Sequence, residues 1–328
     1  MIFVTNSKNN KRKRANKKHI FYLLALVFNV AQAQPESSIG KEYYFYINSY
    51  RVEQYVTKNK HRALTFLLQA EKVHPLFGGD AWGASLDYCD EHDYKMAELY
   101  FEKALLRGMK FDYILSNALL SEFINSPYYK LLATKKDSLE KEYRSNLDLN
   151  YITFIYQLFG QDQIVRLSKS DLSTFIPIEY MHVIDSVSLR QFKEYIFSHG
   201  FPSISNIDYT TYNLTQSFFN HWFDYDTTTI KSDSIYIFFN NEFEKGNLYA
   251  GFFTKCLDYH YLRTTNKQLF GNYINYQKQP PTYNEFIDDK NIDRARELYS
   301  LYPLICDTAI YKNLILPKNY KYTAPKND

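Results

Sequence analysis

Glycine is scarce in this chain, ten in 328 residues. So few leave little backbone able to cradle phosphate, and neither a Gly-x-Gly-x-x-Gly turn nor a glycine–lysine phosphate loop occurs. Cysteine is scarcer still. Cys89, Cys256 and Cys306 are far apart, and no Cys-x-x-Cys is present, so no zinc ribbon or redox pair is visible. One disulfide with an odd thiol would fit an exported chain; three buried thiols are the preferred expectation. Also missing are His-Glu-x-x-His and Gly-x-Ser-x-Gly, the short signatures of zinc proteases and of serine hydrolases. No apolar run approaches the roughly 20 residues that span a bilayer.

What is present starts at the N-terminus. "KNNKRKRANKKH" is basic, "IFYLLALVFNVA" is twelve residues of mainly apolar character, and "AQAQ" places Ala31 and Ala33 at the −3 and −1 positions of a cut after Ala33. This order predicts a secretory signal over residues 1–33 and a periplasmic or extracellular protein. The alternative is a chain tethered to the membrane by an uncleaved signal. No cysteine follows the apolar stretch, which excludes lipid attachment at a new N-terminal Cys. The seven bases of this segment also account for the chain's positive charge. Without them 32 of the 39 bases remain against 36 acids, a net of −4. A mildly acidic remainder has no electrostatic footprint for nucleic acid.

Hydrophobic residues make up 45% of the chain and aromatics 18%, which excludes wholesale disorder. The 32 tyrosines invite a reading as stacking platforms for sugars or bases. In a chain also rich in Asn, Lys and Ile, we read them as biased composition.

Helical periodicity dominates from about residue 40. "RALTFLLQAEKVHP" (62–75) and "MAELYFEKALLRGM" (96–109) align without a gap at an offset of 34. Ala63 pairs with Ala97, Leu67 with Phe101 and Ala70 with Ala104. Small–large–small at i, i+4, i+7 falls on one helical face and lets a neighbouring helix approach closely. "AWGASLDYCDEHDY" supplies a first helix before the second copy, with Ala84 and Ser85 at the small positions, Tyr88 at the aromatic one and Trp82 one place off. The pattern and its period resemble the tetratricopeptide repeat, with Pro75 at the usual terminal proline and Met109 departing from it. In that resemblance residues 108–132 are the degenerate helix pair that covers the apolar face of a last repeat. The resemblance implies a surface for a protein or peptide partner; the plainer reading of so short an array is a packing platform for the next domain.

The charged segment 133–150, lacking Pro and Gly, reads as a linking helix. It separates an array at 34–135 from a second, mostly helical domain at 136–328. "YITFIYQLFGQDQIVRL" and "SLRQFKEYIFSHG" have helical patterning, the latter ending in His199-Gly200, suited to a helix C-terminus. "SIYIFFNNEF" (234–243) fits strand or helix, and "YINYQKQPPTY" (273–283) a short hairpin or loop. The fold class expected is therefore mainly α, a tetratricopeptide-like array packed on a second helical domain with one small β-hairpin.

Within that second half come, in order, "GQDQIVR", "SHGFPSIS", "SFFNHWFD", "KCLDYHYLR", "KQLFGNY" and "IDDKNIDRARELY". Together they resemble a bacterial domain family of unknown function; either the chain is a divergent copy that has lost a ligand, or the motif is structural throughout. Asn220, Tyr259 and Asn272-Tyr273 stand where that family has Gln, Arg and Thr-Gln. The resemblance implies a shared polar pocket at Asp162, Gln163, Arg166, His221, Asp258 and Gln268, with Gly271, Asp289, Asp293, Arg294 and Arg296 as further family positions. The residues themselves allow plainer roles. Asp162 and Arg166 are an i, i+4 ion pair, and His221 lies between aromatics as a boundary histidine. Cys256 and His260 give two ligands where zinc needs three or four. Asp258 and His260, two residues apart on a helix, point about 200° apart and form no dyad with each other.

The expectation is an exported protein- or peptide-interaction protein without metal, cofactor or nucleic acid. The alternative is a periplasmic enzyme, a hydrolase, with the six polar residues converging in one pocket.

Overall fold

The computed structural model describes residues 38–171, 178–225, 234–275, 277–278, 280–310 and 314–322. The expected signal, residues 1–33, lies outside the described residues. Among the described residues the chain is mainly α with one two-stranded antiparallel hairpin, as the patterning indicates. Among the described residues no helix is long and apolar enough to cross a membrane.

Two helical hairpins open the fold. α1 (Ile39–Arg51) continues into a π-helical turn at Val52–Thr57 and pairs with α2 (Lys60–Val73); α3 (Gly78–Asp90) pairs with α4 (Tyr94–Leu105). Local chemistry sets the starts. Ser38, Asn59 and Asp93 each accept a hydrogen bond from the backbone N–H three residues on, capping α1, α2 and α4. The small–large–small positions do what their spacing requires. Ala63, Leu67 and Ala70 on α2 and Ala97, Phe101 and Ala104 on α4 are at most 1% exposed.

The array is covered as expected. Short helical turns at Asp112–Ser116 and Ser121–Ile124 lead to α5 (Pro127–Ser145), capped by Ser126 with Pro127 in the first turn. Phe123 packs on Phe101, ring centres 4.9 Å apart, and Lys135 pairs with Glu98 at 2.7 Å and with Glu102. The division expected at 135/136 falls inside this unbroken helix.

The second half is α6 (Leu149–Asp171), α7 (Ile178–His199), α8 (Tyr209–Tyr225), α9 (Ser234–Glu244) and α10 (Gly251–Thr265). α7 stops where His199-Gly200 indicates, with Gly200 left-handed at φ +81°. The ambiguous "SIYIFFNNEF" is helix α9, burying Ile235 and Phe239 at a spacing of four. Phe192, Phe219, Phe239 and Phe252 form its aromatic centre, all fully buried. The hairpin is β1 (Ile274–Asn275) with β2 (Thr282–Tyr283), Ile274 opposite Tyr283, and α11 (Ile292–Glu297) follows. Cys89, Cys256 and Cys306 are buried free thiols.

One hydrophobic core runs from Tyr43 of α1 to Phe270, and a smaller cluster of Tyr283, Phe286, Ile292, Leu304 and Leu314 lies beside it. α1 packs against the second half. Its Gly40 meets the Phe243 carbonyl so closely that a Cβ would sit 1.9 Å from the oxygen. Lys41 bonds Glu244 at 2.8 Å, and Asn48 donates to the Ser300 carbonyl at 2.9 Å. Arg51 pairs with buried Asp80 at 2.6 Å and lies over the Tyr302 ring, 4.5 Å from its centre, while Arg296 lies 5.0 Å from the same ring. The first helix of the array thus serves as a platform for the chain's own C-terminal segment.

Candidate functional site

The expected polar pocket is best traced residue by residue. α10 ends at Asn266, in the left-handed region at φ 56°, and the chain turns back along the helix. Asp258, two turns up, is fully buried and collects that return. Oδ1 accepts the N–H groups of Leu269 (2.6 Å) and Phe270 (2.9 Å); Oδ2 accepts the N–H and the side-chain amide of Asn272 (both 2.9 Å). Burial raises the pKa of this carboxyl against the opposing pull of those four bonds. A carboxylate has about four acceptor positions, and all are taken.

Gln268 works the same way. Its amide donates to the carbonyls of Tyr273 and Asn284, both at 3.1 Å, and its Oε1 accepts the Tyr273 N–H at 3.0 Å. Gly271, at φ +79°, keeps the loop against Leu304 and Phe286, where a Cβ would come within 2.9 Å. Asp258 and Gln268 therefore meet in one turn, but their polar atoms face their own backbone. Asp162 is buried on α6, where Gln163 donates to it at 2.9 Å. Arg166 and His221 lie on α6 and α8, with side chains outside the described residues.

Arg296, Asp293 and Asp289, further positions singled out by the resemblance, also hold the fold. Arg296 is 3% exposed and donates to the carbonyls of Tyr302 (2.7 Å) and Phe270 (2.6 Å). Asp293 accepts the Leu304 N–H and the Tyr320 hydroxyl, and Asp289 accepts from Asn319. Cys256 is buried and His260 half-buried on the same helix, and among the described residues no cluster of three metal-ligating side chains forms.

A cleft elsewhere has the features of a binding site. It encloses about 810 Å³ where the end of the array meets α5 and the second half, a volume typical of ligand sites. One wall is the face of α5 that carries Lys136, Leu139, Tyr143 and Arg144. Opposite are the first turn of α3 at Gly78 and Gly79 and the turn after α4 from Arg107 to Phe111. Tyrosines complete the lining: Tyr209 and Tyr212 at the start of α8, and Tyr249. Asp162, Gln163, Asp258 and Gln268, the expected pocket residues with described side chains, do not line it.

Two glycines build this corner and a third leaves it open. A Cβ on Gly78 would lie 2.9 Å from the Arg107 carbonyl, and one on Gly108, at φ +88°, would lie 2.6 Å from the Tyr143 hydroxyl. A Cβ on Gly79 would meet nothing within 4 Å. α3 begins at Gly78, with Phe77 at its N-cap and no side-chain cap hydrogen bond.

The electrostatics suit binding. Burial, with Asp208 adding to it, pushes the Tyr143 hydroxyl up to about 12, and burial holds Tyr212 and Tyr249 well above the usual phenol range. All three stay protonated donors at neutral pH, and none has a hydrogen-bond partner among the described residues. Tyr212 and Tyr249 stand edge to face, 5.6 Å between centres. The carboxylates are engaged: Glu140 with Arg144 at 2.5 Å, Asp112 with Lys136 at 4.0 Å, and Asp208 capping α8 through the Thr211 N–H at 2.8 Å. No histidine or cysteine lines the cleft among the described residues. It has hydrogen-bond donors and ring faces.

Sequence reasoning missed these residues because they come from five separate segments. The available signal was the Gly-Gly pair opening α3 and the tyrosines set aside as composition. No family model, curated protein or solved structure matches the chain.

Proposed function

We propose that the protein is a binding protein, exported, that holds an extended segment of another polypeptide in the cleft between its helical array and its second half. The cleft itself carries this reading: about 810 Å³, ringed by Phe111, Tyr113, Tyr143, Tyr209, Tyr212 and Tyr249. Aromatic grooves with spare donors suit extended peptides, whose carbonyls need donors and whose side chains need flat apolar surface. From Lys136 to Arg144 the α5 wall measures about 12 Å, the reach of about four extended residues. The array contributes its last turns to this groove, while its first helix holds the C-terminal segment. The saturated bonding of Asp258 and Gln268 favours binding over the hydrolase alternative.

Gly79 supplies the test. Gly79→Leu puts a side chain into the cleft from a position where a Cβ touches nothing, and replacing glycine within a helix does not lower stability. Selection from a displayed library of peptides about eight residues long should enrich binders to the purified protein that Gly79→Leu loses, with its unfolding midpoint unchanged. Enriched peptides that bind Gly79→Leu equally well would sink the proposal.

A further inference from the structure

Charge distribution in the cleft specifies the partner further. Of its four cations, Lys136 faces Asp112 at 4.0 Å and Arg144 is bonded to Glu140 at 2.5 Å. Arg107 and Lys110, on the turn after α4, have no carboxylate within 4 Å among the described residues. Beside them Tyr143, whose hydroxyl lies against Gly108, and Tyr212 and Tyr249 offer ring faces and hydroxyl donors, and the carboxylate Asp208 is occupied in capping α8. The groove therefore sets two cations that lack a carboxylate partner among the described residues beside an aromatic floor. Desolvating Arg107 and Lys110 beneath a neutral or basic ligand would leave two cations without partners, which disfavours such ligands.

We infer that the cleft selects an acidic extended peptide, with one or more carboxylates against Arg107 and Lys110 and an apolar or proline residue on the tyrosine floor. This rests on the reading of the cleft as a peptide site. Acidic character supplies complementarity and register, and the rings supply contact area; an anion with no apolar neighbour would lose the second contribution.

The peptides enriched by selection on the unaltered protein provide the test, assayed by fluorescence anisotropy on four forms of the whole chain: unaltered, Gly79→Leu, Arg107→Glu/Lys110→Glu, and Tyr209→Ala. The expected result is enrichment in Asp and Glu, with affinity lost on Gly79→Leu. It should fall at least about tenfold on the double charge reversal, equivalent to about 1.4 kcal/mol, and weaken as salt rises. Basic counterparts of the same peptides should gain affinity for the charge-reversed form. Tyr209, 73% exposed, can be cut back without opening the core, and Tyr209→Ala should weaken acidic and neutral peptides alike. Neutral or basic peptides that need an open cleft would overturn the acidic inference and leave the peptide site standing. No enrichment, or binding of a neutral oligosaccharide probe lost on Gly79→Leu, would overturn both.

Discussion

Asp258 shows how a catalytic-looking residue can be wholly structural. Its four accepted bonds fix residues 269–272, and the loop in turn supplies the Phe270 carbonyl that buried Arg296 requires. Asp258→Asn keeps the shape but turns an NH2 toward backbone donors. It should cost about 2–4 kcal/mol, read as a lower urea midpoint; a variant as stable as the parent would show that the carboxylate does not organise the loop. Asp87 on α3 makes a different prediction. Burial raises its carboxyl to about 6; hydrogen bonds from Tyr50 and Gln54 oppose that rise and the charges of Asp90 and Glu91 add to it. Folding thus favours the protonated form. Its contribution is fully present below the unfolded value near about 4 and is lost as pH rises through about 6. Thermal midpoints measured between about pH 4 and 7 should fall with this group's ionisation in the parent and fall less in Asp87→Asn. Equal slopes would contradict the assignment. The resemblance marked Asp258, Gln268, Gly271, Asp293 and Arg296 as belonging together. It could not show that their shared work is holding backbone, because acceptors at 258 and donors at 269–272 meet only after the chain reverses.

At the scale of elements the sequence was most informative. Period-3.6 patterning locates the helices because each buries one stripe, as Ala97, Phe101 and Ala104 do on α4. The π-turn at 52–57 left no such trace, since it adds one residue to a turn without altering composition. The cleft was illegible for a related reason. Gly79, Arg107, Tyr143, Tyr209 and Tyr249 belong to five separate segments, and only tertiary packing brings them together. Helical faces can be tested in pairs. Ala104→Leu drives a larger side chain into a closed contact and should cost about 1–3 kcal/mol. Leu99→Glu, on the same helix at a position 40% exposed, should change stability by less than about 0.5 kcal/mol. Similar losses from both, measured by urea unfolding, would mean that α4 does not present the face assigned to it.

At the scale of the molecule the array and the second half are bound by more than a link. α5 runs unbroken through the expected division, the core continues from Tyr43 to Phe270, and Tyr302 receives a guanidinium from each half, Arg51 and Arg296. A proposed binding groove built from both halves also requires that they keep one geometry, so cooperativity here bears on function. The chain provides its own reporters, since its two tryptophans fall one in each half, Trp82 on α3 and Trp222 on α8. Trp82→Phe and Trp222→Phe each leave a single emitter, and both substitutions conserve an aromatic ring. In each variant the fluorescence transition in urea should coincide with the loss of helical circular dichroism, as for one cooperative unit. If Trp82 instead reported a separate transition from the bulk helix signal, the array would be an independent domain. Tyr302→Ala sharpens the comparison. Without that ring both guanidiniums lose a shared contact at the junction, so any latent independence of the halves should appear there first, as a split between the two tryptophan transitions.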